Sequence, residues 1–167
     1  MTPQEGESWL ADIDYYMLCD LFAGVVARTS FAAEKSAKWR QSKKEYARQC
    51  GYTMVGYLLK DGAGMSDADC KRLLETIERE IHSSPNRARH AMNNVLIGIG
   101  VYKPSLTKLA IETAKRIGTV EVDHGETGVL IGHQDGAGLR AGQRGRDAAG
   151  VLGQRHLAGQ FVVDPVG

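Results

Sequence analysis

The amino-acid sequence predicts an all-α fold, an α-solenoid of stacked antiparallel helix pairs (an α-α superhelix). Apolar residues recur at helical spacing in one segment after another, and each segment ends at a break rich in Pro, Gly, Ser or Asn. No segment has the alternating β-branched pattern of a buried strand. Because the links between segments are short, consecutive helices are expected to be antiparallel neighbours.

The first three predicted helices are separated by polar turns. Asp14 can cap the first helix, which extends to about Arg28. The second spans about 31–41, and the third runs from about 43 to 60, where an Asp-Gly-Ala-Gly turn ends it. The apolar stripe of the first helix consists of Tyr15, Leu18, Phe22, Val25 and Val26.

The last three predicted helices begin at clear start signals. Ser66 and Asp69 have the spacing of a capping box and begin the fourth helix, which runs from 67 to about 82. Pro85 separates it from the fifth, at about 87–101. Pro104 suits the first turn of the sixth helix, which ends near Gly118. The expected pairs are first with second, third with fourth, and fifth with sixth.

These pairs would follow one another at a regular interval. They begin near residues 14, 43 and 87, so the spacings between them are about 29 and 44 residues. These two spacings bracket the period of about 40 residues of HEAT-type repeats. In an α-solenoid one helix of each pair lines the concave surface. The first, third and fifth helices suit that surface because they carry small or polar residues where a core helix would carry Leu. These residues are Gly24, Gly51, Gly56, Asn93, Asn94, Gly98 and Gly100.

Composition divides the chain into a HEAT-like repeat region at 1–128 and a Gly-rich tail at 129–167. The tail holds nine of the 20 glycines, lacks Lys and Glu, and has Phe161 as its one aromatic residue. Such a segment is expected to be weakly structured or disordered, because glycine loses much backbone entropy on folding. Its origin stays open between a native flexible tail and a stretch read in a shifted frame.

Several functional classes have no support in the sequence. No run of 18 apolar residues exists, and the N-terminus lacks the pattern of a secretory signal, so no membrane partner is expected. Cys19, Cys50 and Cys70 are an odd number and suit a reducing, cytoplasmic setting. Neither zinc-ligand spacing nor a nucleophile motif is present, so we expect no metal and no cofactor.

Charge is unevenly distributed along a chain whose formal net charge is only +1. Residues 28–48 carry seven basic and two acidic side chains, whereas 61–82 carry three basic and six acidic ones. A local basic patch of this kind can bind nucleic acid, although it can equally be a solvated helix face. The candidate DNA-binding residues are Arg40, Lys43, Lys44, Arg87, Arg89 and Lys103.

Tyr16 and Asp20 form the most distinctive pair of candidate site residues. They are four residues apart on the first predicted helix, hence on one face. Cys19, Leu21 and Phe22 surround the carboxylate in sequence, an apolar setting for an acid. The pair is either the polar edge of an amphipathic helix or a carboxylate held beside an aromatic ring in a groove.

Four ordered stretches between Tyr15 and Gly100 are distinctive as a set. They are Tyr15-Tyr16-Met-Leu-Cys-Asp20, Ala27-Arg-Thr-Ser-Phe31-Ala-x-Glu-Lys35, Tyr46-Ala-Arg48-Gln-Cys-Gly51-Tyr and Arg89-His-Ala91-Met-Asn93-Asn94-x-Leu-Ile-x-Ile-Gly100. Together they resemble the DNA alkylation repair family, whose HEAT-like-repeat members include bacterial alkylpurine DNA glycosylases. The resemblance covers about residues 8–128, and no single stretch is a fingerprint.

The resemblance implies a concave basic groove for duplex DNA, bound without regard to sequence, and cleavage of the glycosidic bond of N3- or N7-alkylated purines. Asp20 matches the family's catalytic carboxylate, and Tyr16 stands where the glycosylases have Trp. The catalytic arginine falls on Gln49, with Arg48 one position away, and a second Trp falls on Asn94. We therefore take Tyr16, Asp20, Arg48 and Asn94 as the candidate catalytic set and expect them to converge.

The same resemblance implies that helices preceding the first predicted one are missing and that the family's usual ending is replaced by the tail. An array with an uncovered end is expected to be less stable, or to form a homodimer through that edge. A non-catalytic scaffold that binds a protein partner is the alternative function, because one fold hosts many functions.

Overall fold

The computed structural model describes residues 1–62 and 65–123, and every regular element in these ranges is helical. Single-turn 3₁₀ helices at Ile81–Ser83 and Pro104–Leu106 accompany the longer helices. The predicted all-α class is confirmed, whereas the predicted tail at 129–167 lies outside the described residues. The α-helices are α1 (Pro3–Ala11), α2 (Tyr16–Val26), α3 (Ala32–Trp39), α4 (Glu45–Lys60), α5 (Asp67–Glu80), α6 (Asn86–Tyr102) and α7 (Thr107–Ile117).

The helices of residues Met1–Val122 form two rows of an α-solenoid, with α2, α4 and α6 in one row and α3, α5 and α7 in the other. Helices within a row run in the same direction. Asp20 and Gly24 of α2 meet Gln49 and Tyr57 of α4 in that order. Likewise, Ser105, just before α7, and Arg116 within it meet Asp67 and Glu78 of α5 in that order. Lys103, at the end of α6, donates to Met65 before α5, and Arg89, near the start of α6, donates to Ser84 after α5. These two successive helices are therefore antiparallel, as predicted.

The pairing within the array differs from the pairing expected from loop length, because α2 with α3 and α4 with α5 have little backbone contact, whereas α6 with α7 pairs as expected. The backbone of α4 lies against α6, α2 and α3, so its closest neighbour in the second row is α3 rather than α5. Gly51 permits this approach, because a Cβ there would lie 2.8 Å from the carbonyl carbon of Trp39 and closer still to the amide nitrogen of Arg40. The Ser36 hydroxyl donates a 2.9 Å hydrogen bond to the Gly51 carbonyl at the same place.

Most glycines predicted to line a ligand surface instead serve helix packing. A Cβ at Gly24 would meet the Tyr57 hydroxyl at 3.0 Å, and one at Gly100 would meet Ala110 at 3.4 Å. Gly56 is different, because no atom lies within 4 Å of the place where its Cβ would be. Small residues thus mark close approach, as predicted, but the approaching group is usually another helix.

Two buried apolar clusters lie on different faces of α4. Tyr52, Val55 and Leu59 join the cluster formed with α5, α6 and α7. The remaining buried apolar residues of α4, Cys50, Met54 and Leu58, join the cluster formed with α1, α2 and α3. The face that carries Gln49, Thr53 and Gly56 belongs to neither cluster, and it is this face that positions the candidate site.

The buried stripe of α2 is displaced from the predicted one. Phe22 and Val26 are buried as predicted, but the other buried residues are Cys19 and Ala23. Leu18 and Val25 are about half exposed, and the helix begins after Tyr15 rather than at an Asp14 cap. One side of α2 faces solvent because no helix of the described chain covers it. We call this side the α2 flank, and it consists of Met17, Leu18, Leu21 and Val25.

Helix α1 is not among the predicted helices, although its start signal is present in the sequence. Thr2 and Glu5 form a capping box around Pro3 at the first helical position. The predicted capping box of Ser66 and Asp69 is confirmed at the start of α5. No helix of the described ranges is both long and apolar enough to cross a bilayer.

An ion cluster joins α1 to α3. The Glu7 carboxylate accepts hydrogen bonds of 2.8 Å from Lys35, which is almost fully buried, and from Lys38. Burial raises the pKa of Glu7, but the hydrogen bonds from the two lysines and the charge of Lys35 outweigh this and lower the pKa to about 2. A carboxyl whose folded pKa is depressed stabilises the fold above its unfolded pKa, and this contribution is lost as the pH falls through the folded pKa.

We expect the stability advantage of the wild type over Glu7→Gln to shrink as the pH is lowered from about 4.5 to about 2. Urea unfolding midpoints of both proteins across this range would measure the effect. A difference that stays constant over the range would contradict the role assigned to the ionised Glu7 carboxylate.

Candidate functional site

One exposed face runs across the row of α2, α4 and α6, and we call it the three-helix face. Its residues recur every three, four or seven positions, so on each helix they point to the same side. Most of its side chains are polar or small. It consists of Tyr16, Asp20 and Gly24 of α2, Glu45, Gln49, Thr53 and Gly56 of α4, and Arg87 and Asn94 of α6.

Asp20 is half-buried on this face and held by two neutral donors from α4. Its Oδ1 accepts hydrogen bonds from Gln49 Nε2 at 2.9 Å and from Thr53 Oγ1 at 3.0 Å. The Gln49 amide also donates to the Tyr16 carbonyl at 3.1 Å, so one buried side chain fixes α4 to α2. These contacts orient the carboxylate without neutralising it, because neither donor carries a charge.

Tyr16 lies beneath a cation from α6. The Arg87 guanidinium carbon is 3.9 Å from the centroid of the Tyr16 ring, and Tyr15 packs edge-on against the same ring at 4.9 Å. The backbone N–H of Arg87 donates to Glu45 Oε1 at 2.7 Å. These contacts hold the N-terminal ends of α2, α4 and α6 together, and they place the guanidinium, rather than the bare ring, on the surface.

The structure does not bring Arg48 into this site. Its guanidinium points to α5, where Nη2 is 2.6 Å from Glu80 Oε2. Gln49 follows it at a rotation of about 100° on the helix, and it is Gln49 that reaches Asp20. The prediction that Tyr16, Asp20, Arg48 and Asn94 converge is therefore wrong for Arg48.

Asn94 lies on the three-helix face but away from the carboxylate. It follows Arg87 by seven residues, two turns along the same side of α6, and its side chain is exposed. No hydrogen bond joins Asn94 to Asp20 in the described residues. Gln49 and Thr53 are the site residues absent from the predicted set. They follow Glu45 by four and eight residues, and this helical spacing was the signal that could have identified them.

The six predicted DNA-binding cations separate into two groups. Lys43 and Lys44 are exposed just before α4, next to the edge where Arg87 covers Tyr16. The other three bind elsewhere. Arg89 donates to the carbonyls of Glu121 and Ser84, Lys103 donates to the Met65 carbonyl, and Arg40 lies with Arg48 between α3, α4 and α5. The basic edge of the three-helix face therefore consists of Lys43, Lys44 and Arg87.

Comparison with known proteins gives a consistent result. The family model described as DNA alkylation repair enzyme matches residues 4–124. Two uncharacterised proteins are similar over 109 residues, one from Listeria innocua at 30% identity and one from Listeria monocytogenes at 27%. Each alignment covers 65% of this chain and 46% of the relative, so the chain spans about half the length of these relatives.

One solved structure is similar over most of the described fold. It is described as a new family of proteins related to the HEAT-like repeat DNA glycosylases, with affinity for branched DNA structures. The TM-score is 0.70 at 31% sequence identity, and the match covers 75% of this chain and 55% of that one. The HEAT-like architecture and the resemblance predicted from sequence are confirmed.

Proposed function

The chain belongs to the DNA alkylation repair enzyme family, and from this premise we propose that it binds DNA across the three-helix face. The observation that carries the proposal is the basic edge. Arg87 lies over Tyr16 at 3.9 Å, and the exposed Lys43 and Lys44 adjoin it. The affinity of the similar solved protein for branched DNA supports a DNA ligand, and branched as well as linear duplexes belong in the test.

Binding is expected to be independent of base sequence. Lysine and arginine side chains on an exposed edge contact phosphates, which fix the position of DNA but carry no sequence information. Sequence-independent affinity therefore rests on charge, and it must weaken as salt rises.

We expect DNA affinity to fall with salt at a log–log slope of about −2.7, which corresponds to three phosphate contacts. Replacing both Lys43 and Lys44 with Gln should reduce the slope to about −0.9. The matched control removes two exposed lysines from α7, Lys108 and Lys115, and should leave the slope unchanged. Fluorescence anisotropy with labelled DNA at several salt concentrations measures the slope of each protein.

No DNA binding at low salt, or an affinity that ignores salt, would contradict the proposal. Either result would favour the alternative, a scaffold for a protein partner. Equal losses of DNA affinity in the Lys43/Lys44 variant and in the Lys108/Lys115 variant would show that net charge alone, and not the basic edge, determines the affinity.

Asp20 favours a second activity at the same face, the excision of N3- or N7-alkylated purines. In that reaction the bond between C1′ and the purine nitrogen breaks, and its electron pair neutralises the cationic base. The sugar becomes positively charged until a water oxygen bonds to C1′ and the proton of that water is released. An ionised carboxylate, held in place by Gln49 and Thr53, can stabilise the sugar cation and position the water.

The surroundings of Asp20 predict slow excision. The family's arginine is replaced by the neutral Gln49, and its second aromatic ring by Asn94. Tyr16 keeps a ring, but Arg87 covers one of its faces. Asp20 is therefore the one residue of the described face that keeps an ionic group of the family's catalytic set.

The α2 flank carries the remaining part of the proposal, homodimer formation. Met17, Leu18, Leu21 and Val25 are between 50% and 68% exposed, and they form one stripe on α2. Burying them against a second copy would remove apolar surface from water. Sedimentation equilibrium of the wild type and of a Leu21→Lys variant tests this. A monomeric wild type contradicts homodimer formation.

The three buried free cysteines suit a reducing, cytoplasmic setting, which we keep as part of the proposal.

A further inference from the structure

A second charged site lies on another side of α4, away from the three-helix face. We call it the arginine pocket. It is an open cleft of about 440 Å³ between α3, α4 and α5, and most of the side chains that line it are polar. Arg40, Arg48 and Arg79 contribute three guanidinium groups, whereas Glu80 is the only acid among the described lining residues. The formal charge of the lining is therefore +2.

A single glutamate does not satisfy the three arginines. Arg48 and Arg79 share it, at 2.6 Å and 2.8 Å from its two oxygens. The Nε of Arg48 is buried and has no hydrogen-bond partner among the described residues. An unpaired buried donor on a charged group costs free energy, which an acceptor oxygen from a ligand would offset.

Arg40 completes the third side of the cleft. Its guanidinium carbon lies 5.9 Å from the centroid of the Tyr52 ring, and its Nε donates to the Ser36 carbonyl at 3.3 Å. These contacts fix the stem of the side chain, which is one of those that line the cleft. Guanidinium groups suit phosphate oxygens, because each can donate two parallel hydrogen bonds.

We propose that the arginine pocket binds a phosphomonoester dianion. Two observations select this class over other anions. The charge of +2 matches a group that carries two negative charges. Three guanidinium groups, from the residue after α3, from α4 and from α5, match a tetrahedral group better than a planar carboxylate. The size of the cleft, within the range of small-molecule sites, also leaves room for the molecule that bears the phosphate.

The first test uses inorganic phosphate and needs no DNA. Titration of the wild type, followed by amide chemical shifts, should show saturable changes around the cleft at millimolar phosphate. Acetate at equal ionic strength should cause much weaker changes. Arg79→Gln should weaken phosphate binding about tenfold, because it removes one charged donor from an exposed position without disturbing the core. Lys108→Gln, on α7, serves as the charge-matched control.

No saturable change with phosphate, equal binding of acetate, or equal effects of the Arg79 and Lys108 variants would overturn the proposal. Arg40→Gln is a second variant with the same expected loss, and thermal unfolding verifies that each variant is folded. These outcomes do not depend on the three-helix face, so the pocket and the proposed DNA function can fail separately.

A second arm identifies the source of the phosphate. Short DNA duplexes with and without a 5′-phosphate are compared with a soluble phosphomonoester such as glycerol 3-phosphate. A preference for the phosphorylated duplex that Arg79→Gln abolishes assigns the pocket to a DNA strand end. Saturable binding of the small phosphomonoester, with no preference between the duplexes, assigns it to a metabolite. Failure of both ligands to bind overturns the proposal.

Discussion

Asp20→Asn is expected to reduce the release of N7-alkylated guanine from alkylated duplex DNA by about 100-fold or more. Asparagine keeps the shape of the side chain and an oxygen that can accept the bonds from Gln49 and Thr53. It loses the negative charge that stabilises the developing sugar cation. DNA affinity should change little, because an acid among phosphates does not favour binding. Single-turnover base release at excess protein measures the rate.

The matched control for this experiment is Asp14→Asn. Asp14 is an exposed carboxylate just before α2, so the variant changes the net charge by the same amount outside the three-helix face. Base release should stay at the wild-type rate in this variant. An Asp20→Asn protein as active as the wild type would contradict the assigned role. A wild type that releases no base would contradict excision and leave DNA binding standing.

The largest effect on stability is expected from Gly51→Ala, a loss of about 3 kcal/mol in the free energy of unfolding. The added methyl group would lie 2.8 Å from the Trp39 carbonyl carbon and still closer to the Arg40 amide nitrogen. These are backbone atoms, so no side-chain rotation relieves the clash, and α3 must move away from α4. The higher helix propensity of alanine offsets the loss only in part.

Gly56→Ala is the matched control, because it makes the same chemical change in the same helix. Nothing lies within 4 Å of the new methyl group at this position. The substitution should therefore raise stability by about 0.5 to 1 kcal/mol through helix propensity. Urea unfolding of the two variants compares them, and a destabilising Gly56→Ala or a neutral Gly51→Ala would contradict this account.

Helix order and ends could be predicted because the sequence marks them locally. Ser66 with Asp69, Pro85 and Pro104 are start signals, and each predicted start lies within a few residues of the observed one. The prediction lacks α1, a nine-residue helix with few apolar residues, although Thr2 and Glu5 mark its start. Local signals define helix ends well, whereas they do not reveal which side of a helix a neighbour will cover.

Which side of a helix a neighbour covers decided the two points where the prediction differs from the structure, the buried stripe of α2 and the residues that meet Asp20. The stripe of α2 was predicted from apolar spacing, but burial followed the positions of α1 and α4, which left Leu18 exposed. The pair of Tyr16 and Asp20 was predictable, since both residues lie on one helix. Whether Arg48 or Gln49 met them depended on the rotation of α4 against α2, a tertiary property that a single sequence does not contain.

The parallel direction of α2, α4 and α6 has an electrostatic consequence. Contacts at Tyr16, Glu45 and Arg87 bring the N-terminal ends of all three helices to one edge, so the partial positive charges of their peptide dipoles add there. Lys43, Lys44 and Arg87 stand at helix ends that disfavour cations, and α6 has no acid in its first turn. Positive charge is thus concentrated at one edge of the array, and a bound polyanion would reduce the repulsion between the cationic side chains and the helix N-termini there.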